Sequence, residues 1–433
     1  MKKYEIVSEK LKQDILEGHL KRGETLPSIR QSTLLFGVSK TTIEHAYDRL
    51  ILDGYIKSLP QKGYVVDILP QHLKHHQVQT ATNQKEDSWI RYDFRLNSVS
   101  LEAFDLKIWK RYMKEVFQDS KAMATYGDAQ GEKRLRLALS EYAYHHRGVL
   151  TTEKSILVGS SFQTLLYQFC SLCPKTYTFG MEKHVDSQVL YVLRSFGFSC
   201  VQFDSETLIK DLDSSSIDIF YINSSCFGSD FRYLDRKTRD ALIDVSHRNH
   251  FLILEDDYNG ELNYRSKPRH SLQGASPYDN VIYFGSFSRL LLPSLRLSYM
   301  VLNPEYLQRY LNHKDKFGPT SSKFEQLALA RYMEDGHMEK HLRKLKKEYA
   351  IKDQITRTIL EDHFPNLIFK EVYFCYCIDL PHIDPNQLME ASFQQGIALD
   401  PLVDHTLSLS FAYMGQNELI EGLRLLVKIL KRC

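Results

Sequence analysis

Residues 26–50 read LPSIRQSTLLFGVSKTTIEHAYDRL, and the caps and apolar positions in this stretch decide how the N-terminus folds. Ser28, directly after Pro27, suits a helix N-cap, and the helix it opens runs to a natural stop at Gly37. After a three-residue turn Ser39 caps a further helix, in which Ile43, Ala46, Tyr47, Leu50 and Ile51 face inward at helical spacing. Its exposed start is Ser39, Lys40, Thr41, Thr42 and His45. Upstream, Tyr4, Val7, Leu11 and Ile15 fall on one face of a first helix that Gly18 ends. Downstream, GYIKSLPQKGYVV at 54–66 reads as two short strands joined through Pro60 to Gly63, a wing carrying Lys62.

Two short helices joined by a tight turn, with small polar and basic groups opening the second, have the geometry that sets a recognition helix in the major groove of double-stranded DNA. The expected contacts to a promoter or operator are Ser28, Arg30, Ser39, Lys40, Thr41, Thr42, His45, Lys62 and Gly63. Bulk charge lends this reading no support. The formal net charge is only +2, and residues 1–70 carry eleven Lys or Arg against nine Asp or Glu. The argument therefore rests on the order helix, helix, helix, wing.

At 433 residues, 43% apolar and 25% charged, the chain has room for more than one domain. No apolar run approaches the roughly 18 residues of a membrane helix, and no secretory h-region opens the chain, so a cytoplasmic protein, nucleoid-associated when on DNA, is expected. Seven cysteines without a secretory context speak against a disulfide framework. Cys170 and Cys173 form a lone C-x-x-C, and Cys375 and Cys377 sit in a run that reads as a buried strand. No metal site is expected from either pair.

Residues 67–90 are polar and lack apolar periodicity, which reads as a linker; its HLKHH cluster is taken as solvated. Beyond Tyr92, strand-like runs such as SILV, FLILE and VIYF alternate with helical patterns, the rhythm of an α/β domain. In that domain FLILEDDYNGELNY at 251–264 is an apolar strand with a carboxylate-rich end, and VIYFGSFSRLLLPSLRLSYMV at 281–301 is a strand, a Ser-rich turn, then Pro and Arg. Carboxylates and hydroxyls gathered at strand C-termini build a ligand site in such sheets.

The L-P-S-x-R, G-V-S-x-x-T and G-Y elements of the head resemble the GntR family of bacterial regulators. Ser32 and Thr33 depart from that family, which has Leu-Ala packing inward there, and a slightly looser head is expected. The segments at 126–149, 159–165, 251–264 and 281–301 resemble, in this order, the pyridoxal-phosphate aminotransferases of fold type I. Head and body together resemble the MocR subfamily. The expectation is a multidomain fold: a winged helix-turn-helix over 1–66, a linker over 67–90, and an aminotransferase-like body over 91–433. The body divides into a large subdomain at about 100–310 and a small one at about 311–433. The function implied is a homodimeric DNA-binding transcription regulator.

The resemblance also implies pyridoxal 5′-phosphate as the family cofactor, held through a lysine in the turn G-S/T-F-S-K. Here that turn reads Gly285, Ser286, Phe287, Ser288, Arg289. A guanidinium stays protonated and delocalised, so it is neither a nucleophile nor a Schiff-base former. Catalysis and covalent cofactor binding are not expected, leaving noncovalent binding of the cofactor or another small anionic ligand, or none. Asp256 and Tyr258 match the family's partners for the pyridine nitrogen and ring hydroxyl, and Ser286, Ser288 and Arg296 its phosphate contacts. Ser161 and Phe162 fall at the phosphate turn, and His184 near the aromatic platform. The Arg that clamps an amino-acid carboxylate is replaced within Ser408, Leu409, Ser410, Phe411, which removes the strongest anchor for an amino acid. The alternative is an aminotransferase or cofactor sensor using a relocated lysine, with Lys267, Lys314, Lys316 and Lys323 as candidates. The basic run at 338–349 is read as a solvated helix face.

Overall fold

A computed structural model of the chain describes residues 2–67, 89–96, 99–100, 102–228, 233–265, 269–365, 369–372, 374–403 and 405–432. The expected linker, with its HLKHH run, lies almost entirely outside the described residues, as does Lys267. The chain divides into two compact units, residues 1–87 and 88–433.

The first unit holds helices α1 (Lys3–Leu16), α2 (Ile29–Phe36) and α3 (Lys40–Leu52), then strands β1 (Ile56–Leu59) and β2 (Gly63–Val66). Ser28 caps α2 by accepting from the Gln31 amide, while the Gln31 side chain accepts from the Ser28 amide at 2.9 Å, a reciprocal capping box. Gly37 ends the helix in the left-handed region at φ 63°, a conformation that costs glycine nothing. Ser39 caps α3 by accepting from the Thr42 amide. Val7, Leu11, Ile15, Ile43, Ala46, Tyr47 and Leu50 form the buried core. Tyr4 and Ile51, expected to face inward, sit half-buried at its rim. The antiparallel wing pairs Ile56 with Val66 through Leu59 with Gly63, and Gln61 and Gly63 turn it at positive φ.

Ser32 is fully buried yet satisfied. Its hydroxyl lies 2.7 Å from the Tyr47 hydroxyl, and Tyr47 donates to the Pro27 carbonyl at 2.7 Å. Where the resemblance puts leucine, this head carries a hydrogen-bonded pair, so the expected loosening is offset at that position.

The second unit is built on a seven-stranded sheet. Its order is Ile156–Gly159, Ser298–Val301, Val281–Ser286, Leu252–Asp256, Ile219–Asn223, Thr178–Glu182 and Ser199–Phe203. Ser298–Val301 runs antiparallel to both neighbours; the last five strands are mutually parallel. Strands covered on both faces read as continuous apolar runs, which is why SILV, FLILE and VIYF carry no alternation. Helices such as Lys133–Arg147, Phe162–Ser171 and Arg236–Arg248 supply the covering layers. A smaller antiparallel sheet joins Phe369–Val372, Cys375–Asp379 and Thr406–Ser410, and packs with the long helix His337–His363 and with Gln416–Leu430. Cys375 is buried in it and Cys377 half-buried.

The basic run at 338–349 lies on the helix His337–His363, where Lys340, Arg343, Lys344 and Lys347 are exposed and Leu342 and Leu345 are buried. Among the described residues, no helix is long and apolar enough to cross a membrane.

Candidate functional sites: a basic concavity in the head and an anion pocket in the body

In the first unit, Ser28, Arg30, Lys40, Lys62 and Gly63 line one concavity of about 700 Å³ between the start of α2, the start of α3 and the wing. Arg30, Lys40 and Lys62 are all exposed, and Lys40 lies 3.5 Å from Glu44 one turn on. The other expected contacts sit on the first turns of α3, outside that lining. Ser39 and Thr42 are engaged with each other, Oγ to Oγ1 at 2.8 Å, which spends the Ser39 hydroxyl on capping. Thr41 is exposed, and His45 sets its ring edge-on to Tyr4 at 5.9 Å.

In the second unit one pocket of about 480 Å³ collects all nine residues expected at a cofactor site: Ser161, Phe162, His184, Asp256, Tyr258, Ser286, Ser288, Arg289 and Arg296. Topology explains the convergence. Glu182, Asn223, Asp256 and Ser286 are the last residues of four parallel strands, and all four line the pocket. Carboxyl ends of parallel strands open onto a crevice, so side chains distant in sequence meet there.

Each group is held by its neighbours. Tyr221 donates from its hydroxyl to Asp256 Oδ2 at 2.9 Å in the pocket floor. Burial pushes the Asp256 carboxyl up to about 7, against the pull of that hydrogen bond. Glu182 meets His184 Nδ1 at 3.2 Å, and burial raises its carboxyl too. Ser161 caps the helix Phe162–Ser171 by accepting from the Thr164 amide, with its own hydroxyl 2.9 Å from Thr164 Oγ1. Ser286 Oγ accepts from the Ser288 amide at 3.3 Å and lies 3.2 Å from the Ser298 hydroxyl. Arg296 takes a left-handed backbone at φ 49°, uncommon for a residue with a Cβ, just after the turn Pro293–Leu295.

Arg289 donates from Nη1 to the Leu96 carbonyl at 2.8 Å. Its guanidinium carbon lies 5.0 Å from the centre of the Phe374 ring and 5.9 Å from that of Tyr258. These two rings and one carbonyl fix the head group against the pocket wall. Among the described residues no lysine lines the pocket. Lys314 pairs with Asp128 at 3.0 Å and Lys323 donates to Thr125 Oγ1 at 2.7 Å, both elsewhere. Ser408, on Thr406–Ser410, lies beside the Cys377 thiol and is absent from the pocket lining.

Sequence reasoning missed Tyr221, Glu182, Asp186, Asn223 and Cys226, which line the same pocket. Asn223 carried a signal, since it ends a strand as Asp256 does. Tyr221 carried none, because it sits inside an apolar run that reads as core.

Residues 3–66 match the family described as bacterial regulatory proteins, gntR family, and residues 94–418 match aminotransferase class I and II. The HTH-type transcriptional regulator YhdI of Bacillus subtilis is 31% identical over 84% of this chain and 80% of its own length. The probable rhizopine catabolism regulatory protein MocR of Rhizobium meliloti is 28% identical over 82% of this chain and 76% of its own. Among solved structures, an archaeal alanine:glyoxylate aminotransferase superposes on 81% of this chain and 94% of its own, with a TM-score of 0.71 at 19% identity, a likeness of fold. This chain belongs to the MocR type of GntR regulators, in which a helix-turn-helix head is joined to an aminotransferase class I and II body.

Proposed function

We propose that the chain is a DNA-binding transcription regulator that acts as a homodimer, with a head over residues 1–66 reading promoter duplex and a noncatalytic body over 91–433 sensing a small anion. The observation that carries the DNA reading is the concavity where Arg30, Lys40 and Lys62 converge from two helices and the wing, all exposed. Cations spread along that surface meet phosphates, while the first turns of α3 offer Thr41 and His45 to base edges. Fluorescence anisotropy of the full chain on duplexes from upstream of its neighbouring genes tests this. Nanomolar binding to one duplex, weakening steeply with salt, is expected; equal and weak binding to all of them overturns it.

For the body, the donor set fits a phosphorylated ring without a covalent anchor. The hydroxyls of Ser161, Ser286 and Ser288 and the guanidinium of Arg296 would hold a phosphate, beside the start of a ten-residue helix. Asp256 would face the ring nitrogen. Bound pyridoxal phosphate supplies an electrophilic aldehyde on a ring that withdraws electrons, yet Arg289 offers no amine to meet it. The body would therefore read such a molecule as a ligand.

Arg289→Lys is the test. If the pocket keeps its shape for the ring, the variant shows an aldimine absorbance band with pyridoxal phosphate and borohydride fixes the ring to residue 289, while the parent protein shows only the absorbance of the aldehyde and no fixed ring. Covalent attachment to the parent protein would overturn the noncatalytic reading.

A further inference from the structure

Two guanidiniums face one pocket, and among the described residues neither has an acidic partner. Among the described residues, Arg289 and Arg296 form no ion pair, although twenty-two Lys–carboxylate or Arg–carboxylate pairs occur within the two units. Carboxylates are not lacking in the pocket; they are engaged elsewhere. Glu182 pairs with His184, Asp186 accepts from the Gln188 amide at 2.8 Å, and Asp256 takes the Tyr221 hydroxyl. The pocket thus presents two guanidiniums that its carboxylates do not pair with.

Arg289 is the more telling of the two. It is half-buried, carries five N–H donors, and spends one of them on the Leu96 carbonyl. Phe374 and Tyr258 orient it but accept no hydrogen bond in the guanidinium plane. A half-buried guanidinium with donors left over is placed to receive an anion, and a carboxylate matches its fork in geometry and charge.

Resting on the reading of the body as a phosphate-holding pocket, we propose that its ligand is a two-headed anion: a small phosphomonoester that also bears a carboxylate. The phosphate sits among the serine hydroxyls and Arg296, and the carboxylate is received by Arg289. Arg289 then acts as the specificity determinant, separating acids from the aldehydes and alcohols of the same skeleton.

Calorimetric titration of the full-length protein with three ligands of one skeleton tests this: pyridoxal phosphate, pyridoxine phosphate and the phosphate ester of pyridoxic acid. They differ in one substituent, an aldehyde, a hydroxymethyl or a carboxylate. The acid is expected to bind at least about tenfold more tightly than the alcohol, the gain typical of a charge-assisted hydrogen bond over a neutral one. In Arg289→Met, and in Arg289→Gln as a variant that keeps a donor, that preference should vanish, the acid and the alcohol binding alike within each variant.

Equal binding of all three by the parent protein overturns the proposal and leaves the phosphate pocket standing. Binding of none overturns both. A preference for the acid that survives in Arg289→Met assigns the carboxylate to another residue and overturns the role of Arg289. The comparison on the parent protein decides the ligand class even if both variants fail to fold.

Discussion

The hydroxyls of Ser32 and Tyr47 lie 2.7 Å apart in the core of the head, and Tyr47 passes its own proton to the Pro27 carbonyl, tying the entrance of α2 to the middle of α3. Tyr47→Phe would remove both bonds of the phenol and leave Ser32 only its long contact to the Pro27 carbonyl, 3.4 Å, at a cost of about 1–3 kcal/mol. Ser32→Ala leaves the Tyr47–Pro27 bond intact and should cost about 1 kcal/mol or less. Amide exchange across residues 29–52 would read the difference, with the phenylalanine variant opening faster. Protection in both variants equal to the parent's would show that the pair contributes nothing.

At the DNA face, Arg30→Ala and Lys62→Ala should each weaken operator binding about tenfold and make the salt dependence shallower by about one counterion, with the head's fold unchanged. Gel-shift titration at two salt concentrations checks both effects. Parent affinity in either variant would remove that residue from the interface.

Arg147 and Asp257 form a salt bridge at 2.6 Å with 6% and 0% of their side chains exposed, and Asp257 Oδ1 has no hydrogen-bond partner among the described residues. Arg147→Met leaves a buried carboxylate uncompensated and should cost about 3–5 kcal/mol. Arg147→Met with Asp257→Leu should recover most of that loss, because two apolar groups need no pairing. Urea unfolding of the two variants would show whether the double change is the milder one.

Burial raises the carboxyls of Asp256, Glu255 and Glu261 above their ordinary range, Asp256 to about 7. The folded body therefore keeps protons that the unfolded chain releases. The stability these three groups contribute is full below the ordinary carboxyl range, falls as pH rises from there to about 7, and levels off above. Through these groups the melting temperature of the body should fall between about pH 5 and about pH 8, more steeply than in a variant lacking one of them. Glu261→Gln, which cannot ionise, should flatten the slope; an unchanged slope would remove Glu261 from the account.

Much of the pocket was legible because its residues sit at strand ends. Asp256 follows FLILE, and Ser286 and Ser288 follow VIYF, so an apolar run that stops at a polar group marks where a parallel sheet opens. Ser161 was placed by the family resemblance, at a turn that proves to open a helix. Tyr221 was not, since a buried tyrosine in a strand looks like core until its hydroxyl finds a partner. Ser32 was read as a defect, because only its distance to Tyr47, fifteen residues on, reveals the compensation.

The sequence by itself determined the order of elements in the head, its caps at Ser28 and Ser39, the positive-φ stop at Gly37, and the residue types at the strand ends. These features depend on backbone conformation and on neighbours within one or two turns, so spacing alone carries them. Tertiary structure decided what those side chains meet. Asp256 finds Tyr221 thirty-five positions away across adjacent parallel strands, and Arg289 finds the Leu96 carbonyl 193 positions away. Parallel strands are joined by long crossovers, and the groups they bring together share no local pattern. That is why the chain announced an arginine in the pocket, while only the folded body left it without an acidic partner among the described residues.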